Sequence, residues 1–283
     1  MRKAGGKESV TTDTVFEAAS LGKPVLAYVI LRLRDTGGID FERSLLKYMP
    51  FPDARGEPLA KLVTARHVLT HRTGLPNCCS NGALTFEFTP GEHFGYSGAG
   101  YFWLQRVLEH ITAIPFARYM RENVLEPCGM KNSSFVLLRD MLENCAVSHP
   151  ARASAISSPT WIAPNAASSM LTTAGDYARF MTRFMPGRSR DQFDLLEPTR
   201  REMLTPQSPL NHALSHGLGW SLEQEDGATS FRHSGLNRGF KNVALADAGD
   251  RMGIVLLTNS HEGDRLRWPI VHAFTGRGGA ASL

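Results

Sequence analysis

The segment 25–33 most constrains how this chain can fold, because it is apolar on nearly all sides of a helix. Such a helix has no face suited to water, so it has to lie inside the protein. The helical pattern extends over 14–34 and ends at Gly37-Gly38. We therefore predict one long buried helix near the N-terminus, with the rest of the chain packed around it.

The pattern changes from helices to strands along the chain. Helical periodicity is expected over 65–70, 98–111, 116–125 and 177–185, the last after a capping box at Thr173. Strands are expected over 230–233, 240–246 and 252–259, the last two joined by a turn at 247–250. This order predicts an α+β fold in one domain, 1–283, with a helical lobe over about 25–205 inserted beside a sheet lobe, mainly 215–275.

Composition narrows the function classes. The chain has 283 residues, 42% of them hydrophobic and 20% charged, which is enough for a large core. The 31 Lys and Arg residues exceed the 27 Asp and Glu residues by four and are scattered, so a nucleic-acid partner is not expected. The longest apolar run, 24–31, is far shorter than the roughly 20 residues of a membrane span.

The ends and the cysteines point to a cytoplasmic protein without a cofactor. The N-terminal residues carry no apolar signal region, so the chain as written is expected in the cytoplasm, and in the periplasm or outside the cell if the native N-terminus is longer. The four cysteines, Cys78, Cys79, Cys128 and Cys145, show no Cys-x-x-Cys spacing, so we expect free thiols and no metal site.

Two Ser-x-x-Lys patterns could carry nucleophilic chemistry. In Ser20-Leu-Gly-Lys23 the spacing puts the hydroxyl and the amine on one helix face, and the apolar surroundings would remove the charge of the lysine. A serine at a helix N-terminus also has a free N–H for an oxyanion. The pattern is weak alone, since Ser44-Leu-Leu-Lys47 repeats it in a segment that we expect to be solvated.

Three further motifs stand where a cleft could form. Tyr96-Ser-Gly98 lies between a loop and a helix, and His233-Ser-Gly235 ends a predicted strand, where the glycine would let a substrate approach the strand edge. His67 and His71 have the spacing of a zinc-protease helix, but the glutamate that should follow the first histidine is Val68. Metal catalysis is therefore not expected.

In their order, Ser20/Lys23, Tyr96 and His233/Gly235 resemble the serine β-lactamase and penicillin-binding-protein superfamily. The resemblance is greatest to its branch of class C β-lactamases, D-Ala-D-Ala carboxypeptidases, D-aminopeptidases and β-lactamase-fold esterases. It covers roughly residues 10–275 and extends to the flanking segments 14–20, 68–76, 90–97, 126–130, 171–180 and 255–259. The implied fold is an antiparallel sheet flanked by helices, plus a helical lobe.

The resemblance also implies roles for individual residues. Ser20 would be the nucleophile, and Lys23 and Tyr96 would share its deprotonation and the protonation of the leaving group. The backbone N–H groups of Ser20 and Leu236 would form the oxyanion hole, and His233 would replace the lysine of a Lys-Thr-Gly motif. Substrate-binding candidates are Gly98, Ser234, Gly235 and Arg238, and Arg238 with Lys241 could meet a substrate carboxylate.

Three departures from the family pattern affect the expected function. Gly98 stands where the family's Tyr-x-Asn motif has an asparagine that holds an acyl amide, which favours esters over amides. Pro24 directly follows the lysine, which suits only a first helical turn. Only 19 residues precede Ser20, whereas the family usually has a helix and two sheet strands there. These strands are therefore expected to be missing from the sheet, to be supplied by another chain, or to be absent because the start of the gene is misplaced or truncated.

The expected activity is that of a serine hydrolase, foremost a carboxylesterase, that forms an acyl-enzyme on Ser20. Alternatives are a β-lactamase or a D-Ala-D-Ala carboxypeptidase or D-aminopeptidase at the same site, and an inactive binding or scaffold homologue. The expected partner is a small ester, β-lactam or peptide substrate. A homo-oligomer is possible, and no cofactor is expected.

Overall fold

The computed structural model describes residues 1–3, 6–50, 56–77, 85–149, 162–187, 190–225 and 228–275. Cys78 and Cys79 lie outside these residues, whereas Cys128 and Cys145 are free. The helices are α1 (Gly22–Asp35), α2 (Ala65–Leu69), α3 (Gly98–Thr112), α4 (Phe116–Met120), α5 (Ala174–Met181), α6 (Glu197–Met203) and α7 (Asp264–Thr275). A π-helical turn, Arg121–Leu125, continues α4. No described helix is both long and apolar enough to cross a bilayer.

In the described part of the chain, eight strands form two antiparallel sheets. They are β1 (Phe16–Ala19), β2 (Met170–Thr172), β3 (Ser208–Pro209), β4 (Leu214–His216), β5 (Ser221–Glu225), β6 (Ala228–Asn237), β7 (Phe240–Asp247) and β8 (Met252–Leu256). β3 to β8 pair in chain order in one sheet, and β1 pairs with β2 in the other. The α+β class predicted from the sequence is confirmed.

Helix α1 forms the centre of the core, as its all-round apolar pattern predicts. Residues 22–31 of the helix are all buried, and residues 25–31 belong to a hydrophobic cluster with Trp103 of α3, Phe180 of α5 and Trp220. Pro24 is the third residue of the helix, within the first turn, where its missing N–H leaves no helical bond unmade.

The prediction of a continuous helix over 14–34 is wrong at its N-terminal end. Phe16–Ala19 is strand β1, which pairs with β2 and packs against β6 and β7. Ala19 then adopts a left-handed conformation with φ of 54°, which no α-helix can contain. Pairing with distant strands therefore overrides the local helical pattern. A sharp turn at Ala19 then connects β1 to Ser20.

The other elements agree with their sequence patterns within a few residues. The side chain of Thr173 accepts the N–H of Asp176 and caps α5, as the capping box predicts. The strand predicted over 230–233 is longer in the structure, since β6 runs to Asn237. Five residues of β6, His233 to Asn237, therefore pair with β7 past the end of β5, which pairs with β6 only up to Arg232.

Candidate active site

Ser20, Lys23 and a backbone carbonyl form the centre of the site. Lys23 Nζ lies 3.0 Å from Ser20 Oγ and 2.8 Å from the carbonyl oxygen of Ala167, and Ser20 Oγ lies 3.2 Å from that same oxygen. Ser20 lies in the turn between β1 and α1, and Lys23 lies in the first turn of α1. The Ser-x-x-Lys spacing thus brings hydroxyl and amine together, as predicted, whereas the role of Ala167 has no signal in the sequence.

Burial determines the charge of Lys23. The side chain is 1% exposed, and this desolvation lowers its pKa from 10.5 to about 7. Near neutral pH a large fraction of the amine is therefore uncharged. A neutral amine that donates one N–H to Ala167 still has a lone pair for the proton of the Ser20 hydroxyl.

Tyr96 adds a second proton-carrying group beside the nucleophile. Its ring is 36% exposed, but the desolvated position of its hydroxyl raises its pKa, an effect that the hydrogen bond with Ser20 partly opposes. Lys23 Nζ lies 4.8 Å from the centre of the Tyr96 ring. The phenol is therefore protonated throughout the neutral range and can donate to a leaving group.

His233 is a neutral hydrogen-bonding group here. It is 4% exposed, and burial is the main reason that its pKa falls to about 3; the nearby Lys23 and His216 lower it further. Its Nδ1–H donates to the carbonyl of Ser234 at 2.8 Å, which leaves Nε2 as an acceptor. Position 233 therefore supplies no positive charge to the site near neutral pH.

Two more buried histidines, which sequence reasoning did not place here, lie next to Tyr96. His71 contacts the Tyr96 ring, and His216 contacts His71. The ring of His71 stacks on Tyr96 at 4.3 Å, and its Nδ1 accepts the N–H of Ser97 at 3.0 Å. His216 lies 4.8 Å from His71, and burial lowers the pKa of both rings. His71 thus has a structural contact with Tyr96, and no described group of three or more His, Cys, Asp or Glu could hold a metal ion.

The Leu236 N–H lies at an edge of β6 that β5 does not cover. Lys241, which is opposite Leu236, directs both its N–H and its C=O at Thr258. Leu236 and Lys241 are therefore a non-hydrogen-bonded pair, and the Leu236 N–H points away from β7. It points to the side where β5 has already ended, next to the cavity.

A cavity of about 410 Å³ opens in front of these groups. Its lining includes five predicted site residues, Ser20, Tyr96, His233, Ser234 and Leu236. The other lining residues were not predicted and are Asn77, Phe94, Ser221, Arg232 and Trp268. Arg238 lies outside this lining, exposed in the turn between β6 and β7, and Lys241 pairs with Asp264 at 3.5 Å.

Gly235 allows two segments of the chain to approach each other closely. A Cβ on Gly235 would lie 2.0 Å from the carbonyl oxygen of Ala18, so the glycine allows β1 to cross β6 just before the nucleophile. This close approach fixes the distance between the Ser20 turn and the β6 edge.

Gly98 likewise makes room for the chain. A Cβ on Gly98 would lie 2.3 Å from the carbonyl oxygen of Asn77 and 3.0 Å from its side-chain oxygen. The place that a side chain at position 98 would take is thus filled by Asn77, which itself lines the cavity. An amide group is present at this wall, but it comes from residue 77.

This packing makes Gly98→Ala destabilising. Because the new methyl group meets backbone, we expect a loss of about 1–3 kcal/mol in the free energy of unfolding, measured by urea denaturation. Gly175→Ala is the matched control, since its nearest neighbour would be an arginine side-chain end at 3.7 Å, and this helical substitution should be neutral or stabilising. Equal effects of the two substitutions would contradict the packing argument.

Comparisons with known proteins agree with this architecture. The family model described as Beta-lactamase matches residues 1–275. Penicillin-binding protein 4* of Bacillus subtilis (strain 168) is 22% identical over 94% of this chain, which spans 65% of that protein. The chain spans 54% of protein flp of Staphylococcus aureus (strain N315), at 22% identity over 89% of this chain.

Solved structures show the fold. A penicillin-binding protein from Bacillus halodurans superposes with a TM-score of 0.81 at 21% identity, covering 96% of this chain and 90% of that one. A class C β-lactamase gives a TM-score of 0.82 at 18% identity, covering 97% and 85%. The resemblance noted in the sequence is confirmed by these matches. Since the family model spans nearly the whole chain, the chain belongs to the Beta-lactamase family.

Proposed function

We propose that this protein is a serine hydrolase that forms an acyl-enzyme on Ser20, and that esters are its preferred substrates. The observation that carries the proposal is the 3.0 Å contact between Ser20 Oγ and a Lys23 amine whose pKa burial lowers to about 7. A lysine in water would be charged and could not accept a proton at neutral pH.

In the proposed reaction, Lys23, Tyr96 and the two N–H groups act first when the acyl-enzyme forms and again when it is hydrolysed. Neutral Lys23 removes the proton of Ser20 Oγ as the oxygen attacks the carbonyl carbon of the substrate. The N–H groups of Ser20 and Leu236 stabilise the oxyanion, and Tyr96 donates its proton to the leaving oxygen as the ester bond breaks. Lys23 then returns a proton to Tyr96, so the groups regain their starting charges. In the second half, neutral Lys23 removes a proton from water as the water oxygen attacks the acyl carbon. Tyr96 donates its proton to Ser20 Oγ as the bond to the acyl group breaks, Lys23 returns a proton to Tyr96, and the carboxylic acid is released.

Esters are favoured over amides because position 98 has no side chain to hold an acyl amide, and alkoxide or phenolate leaving groups need little assistance. A second candidate is β-lactam or D-amino-acid peptide hydrolysis at the same residues. It is supported by the Asn77 amide at the cavity wall. The names of two similar proteins, a penicillin-binding protein and a class C β-lactamase, agree with this alternative.

The test is covalent labelling with a fluorophosphonate, followed by intact-mass spectrometry and peptide mapping. We expect one adduct, on Ser20, because the reagent reports an assembled nucleophile and oxyanion hole. Hydrolysis of a p-nitrophenyl ester, nitrocefin and a D-Ala-D-Ala peptide by the same sample then ranks the two candidates. A folded protein that takes up no label, or takes it up elsewhere, would refute the proposal and favour a binding homologue.

A further inference from the structure

His71 is a fully buried histidine that lies behind Tyr96 and outside the lining of the Ser20 cavity. Its spacing from His67 is that of a zinc-protease helix, but the two rings have different partners. His67 contacts the carbonyl of Leu62, whereas His71 is directed at the segment that carries Tyr96. The hydrolase chemistry proposed above gives this second histidine no role.

His71 holds the chain on both sides of Tyr96. Its backbone carbonyl accepts the N–H of Gly95 at 2.7 Å, and its Nδ1 accepts the N–H of Ser97 at 3.0 Å. Between these two bonds its ring stacks on the Tyr96 ring, with 4.3 Å between the ring centres and 30° between the planes. One residue thus restrains the chain before Tyr96, the chain after it, and the aromatic ring itself.

The backbone of His71 is strained in a way that serves these contacts. Its φ is 53°, in the left-handed region that residues with a β-carbon rarely adopt. Such a conformation costs free energy and persists only where the surrounding structure requires it. Because the backbone dihedrals set the directions of both the carbonyl and the side chain, this conformation directs the two acceptors of His71 at one short segment, 95–97.

The ring has to be neutral to accept the Ser97 N–H. An Nδ1 that accepts a hydrogen bond carries no proton, so the ring proton lies on Nε2. Burial lowers the pKa of His71 well below 6.5, and His216, Lys23 and His233 lower it further. The acceptor therefore persists over the pH range near 7 in which Lys23 loses its proton.

We propose that His71 is a positioning residue for Tyr96, which it holds where the phenol can protonate the leaving group. The proposal rests on the hydrolase function proposed above and adds a residue that does not touch the substrate. Proton transfer needs a heavy-atom distance of about 2.6–3.2 Å, and a displacement of about 1 Å can lower a rate by a hundredfold. Loss of the His71 acceptor should therefore impair the steps that depend on the Tyr96 proton and spare the others.

The experiment compares two acetates whose leaving groups differ in basicity. Benzyl alkoxide needs a proton to leave, whereas p-nitrophenolate leaves with little assistance. We expect His71→Phe, which keeps a ring but loses the acceptor, to lower kcat/KM for benzyl acetate by about tenfold to a hundredfold, and for p-nitrophenyl acetate by less than about threefold. His71→Asn supplies an amide oxygen as acceptor and suits a left-handed backbone, so it should recover part of the benzyl acetate activity.

A double-mutant cycle with Tyr96→Phe separates positioning from a general loss of structure. In the Tyr96→Phe background, His71→Phe should lower benzyl acetate hydrolysis no further, because the proton donor that it positions is already absent. The ratio of the two esters within one sample does not depend on the folded fraction, so partial unfolding cannot imitate the effect. His67→Phe is the matched control, since His67 contacts Leu62 instead, and it should leave the ratio unchanged.

An unchanged ester ratio in the His71 variants would overturn the proposal, and so would an equal further loss in the double mutant. If neither variant folds, His71 serves the stability of the fold alone, and the proposal fails as well. A wild type that hydrolyses neither ester would instead refute the hydrolase function. Wild-type hydrolysis with an unchanged ratio in the variants would refute only the positioning role.

Discussion

Ser20→Ala should lower ester hydrolysis by roughly ten-thousandfold to a millionfold, because it removes the atom that forms the acyl-enzyme. Lys23 and Tyr96 remain in this variant, but neither is placed to replace Oγ as the nucleophile. The fold should persist, since two partners of the lost hydroxyl, Lys23 and the Ala167 carbonyl, also contact each other. Steady-state kinetics with a p-nitrophenyl ester and a urea melt measure the two effects.

The chain provides its own control for this substitution. Ser44 belongs to the second Ser-x-x-Lys pattern, but the structure places it before a short 3₁₀ helix, with Lys47 exposed to solvent. The Ser44 hydroxyl has no hydrogen-bond partner among the described residues, so this pair lacks the contact that joins Ser20 to Lys23. Ser44→Ala should therefore retain full activity, and a loss similar to that of Ser20→Ala would show that the measured hydrolysis does not depend on the proposed site.

The sequence predicts the parts of this protein that depend on local pattern. The all-round apolar segment of α1 requires burial, and burial of that helix also encloses Lys23. The β6–β7–β8 sheet follows from short apolar runs and the turn at 247–250. These features need no knowledge of what lies elsewhere in the chain.

Features that arise from packing between distant segments could not be predicted. β1 is a strand because β2, more than 150 residues later, pairs with it. His71 and His216 meet only in the folded protein, and Asn77 faces Gly98 because two loops converge.

Lys23→Met should lower kcat/KM for ester hydrolysis by about a hundredfold to ten-thousandfold, because the general base is lost while Ser20 remains. Among Lys23, Tyr96 and His233, the group whose charge changes between pH 5 and 9 in the wild type is Lys23, with a pKa of about 7. His233 is already neutral above pH 5, and Tyr96 stays protonated. The wild-type rate should therefore rise with pH through a single limb near 7, and the residual activity of Lys23→Met should lack that limb.

The same substitution changes how stability depends on pH. The pKa of Lys23 is depressed in the folded state, from 10.5 to about 7, so between these values the unfolded chain binds one proton more than the folded chain. Stability of the wild type should thus rise with pH across this window by about 1.4 kcal/mol per unit, relative to Lys23→Met. The lost hydrogen bond to Ala167 acts equally at every pH, so the slope is the decisive quantity. Urea unfolding of both proteins at pH 6, 8 and 9 measures it. Parallel stability curves would mean that Lys23 is charged in the folded protein, and the proposed base would then be ruled out.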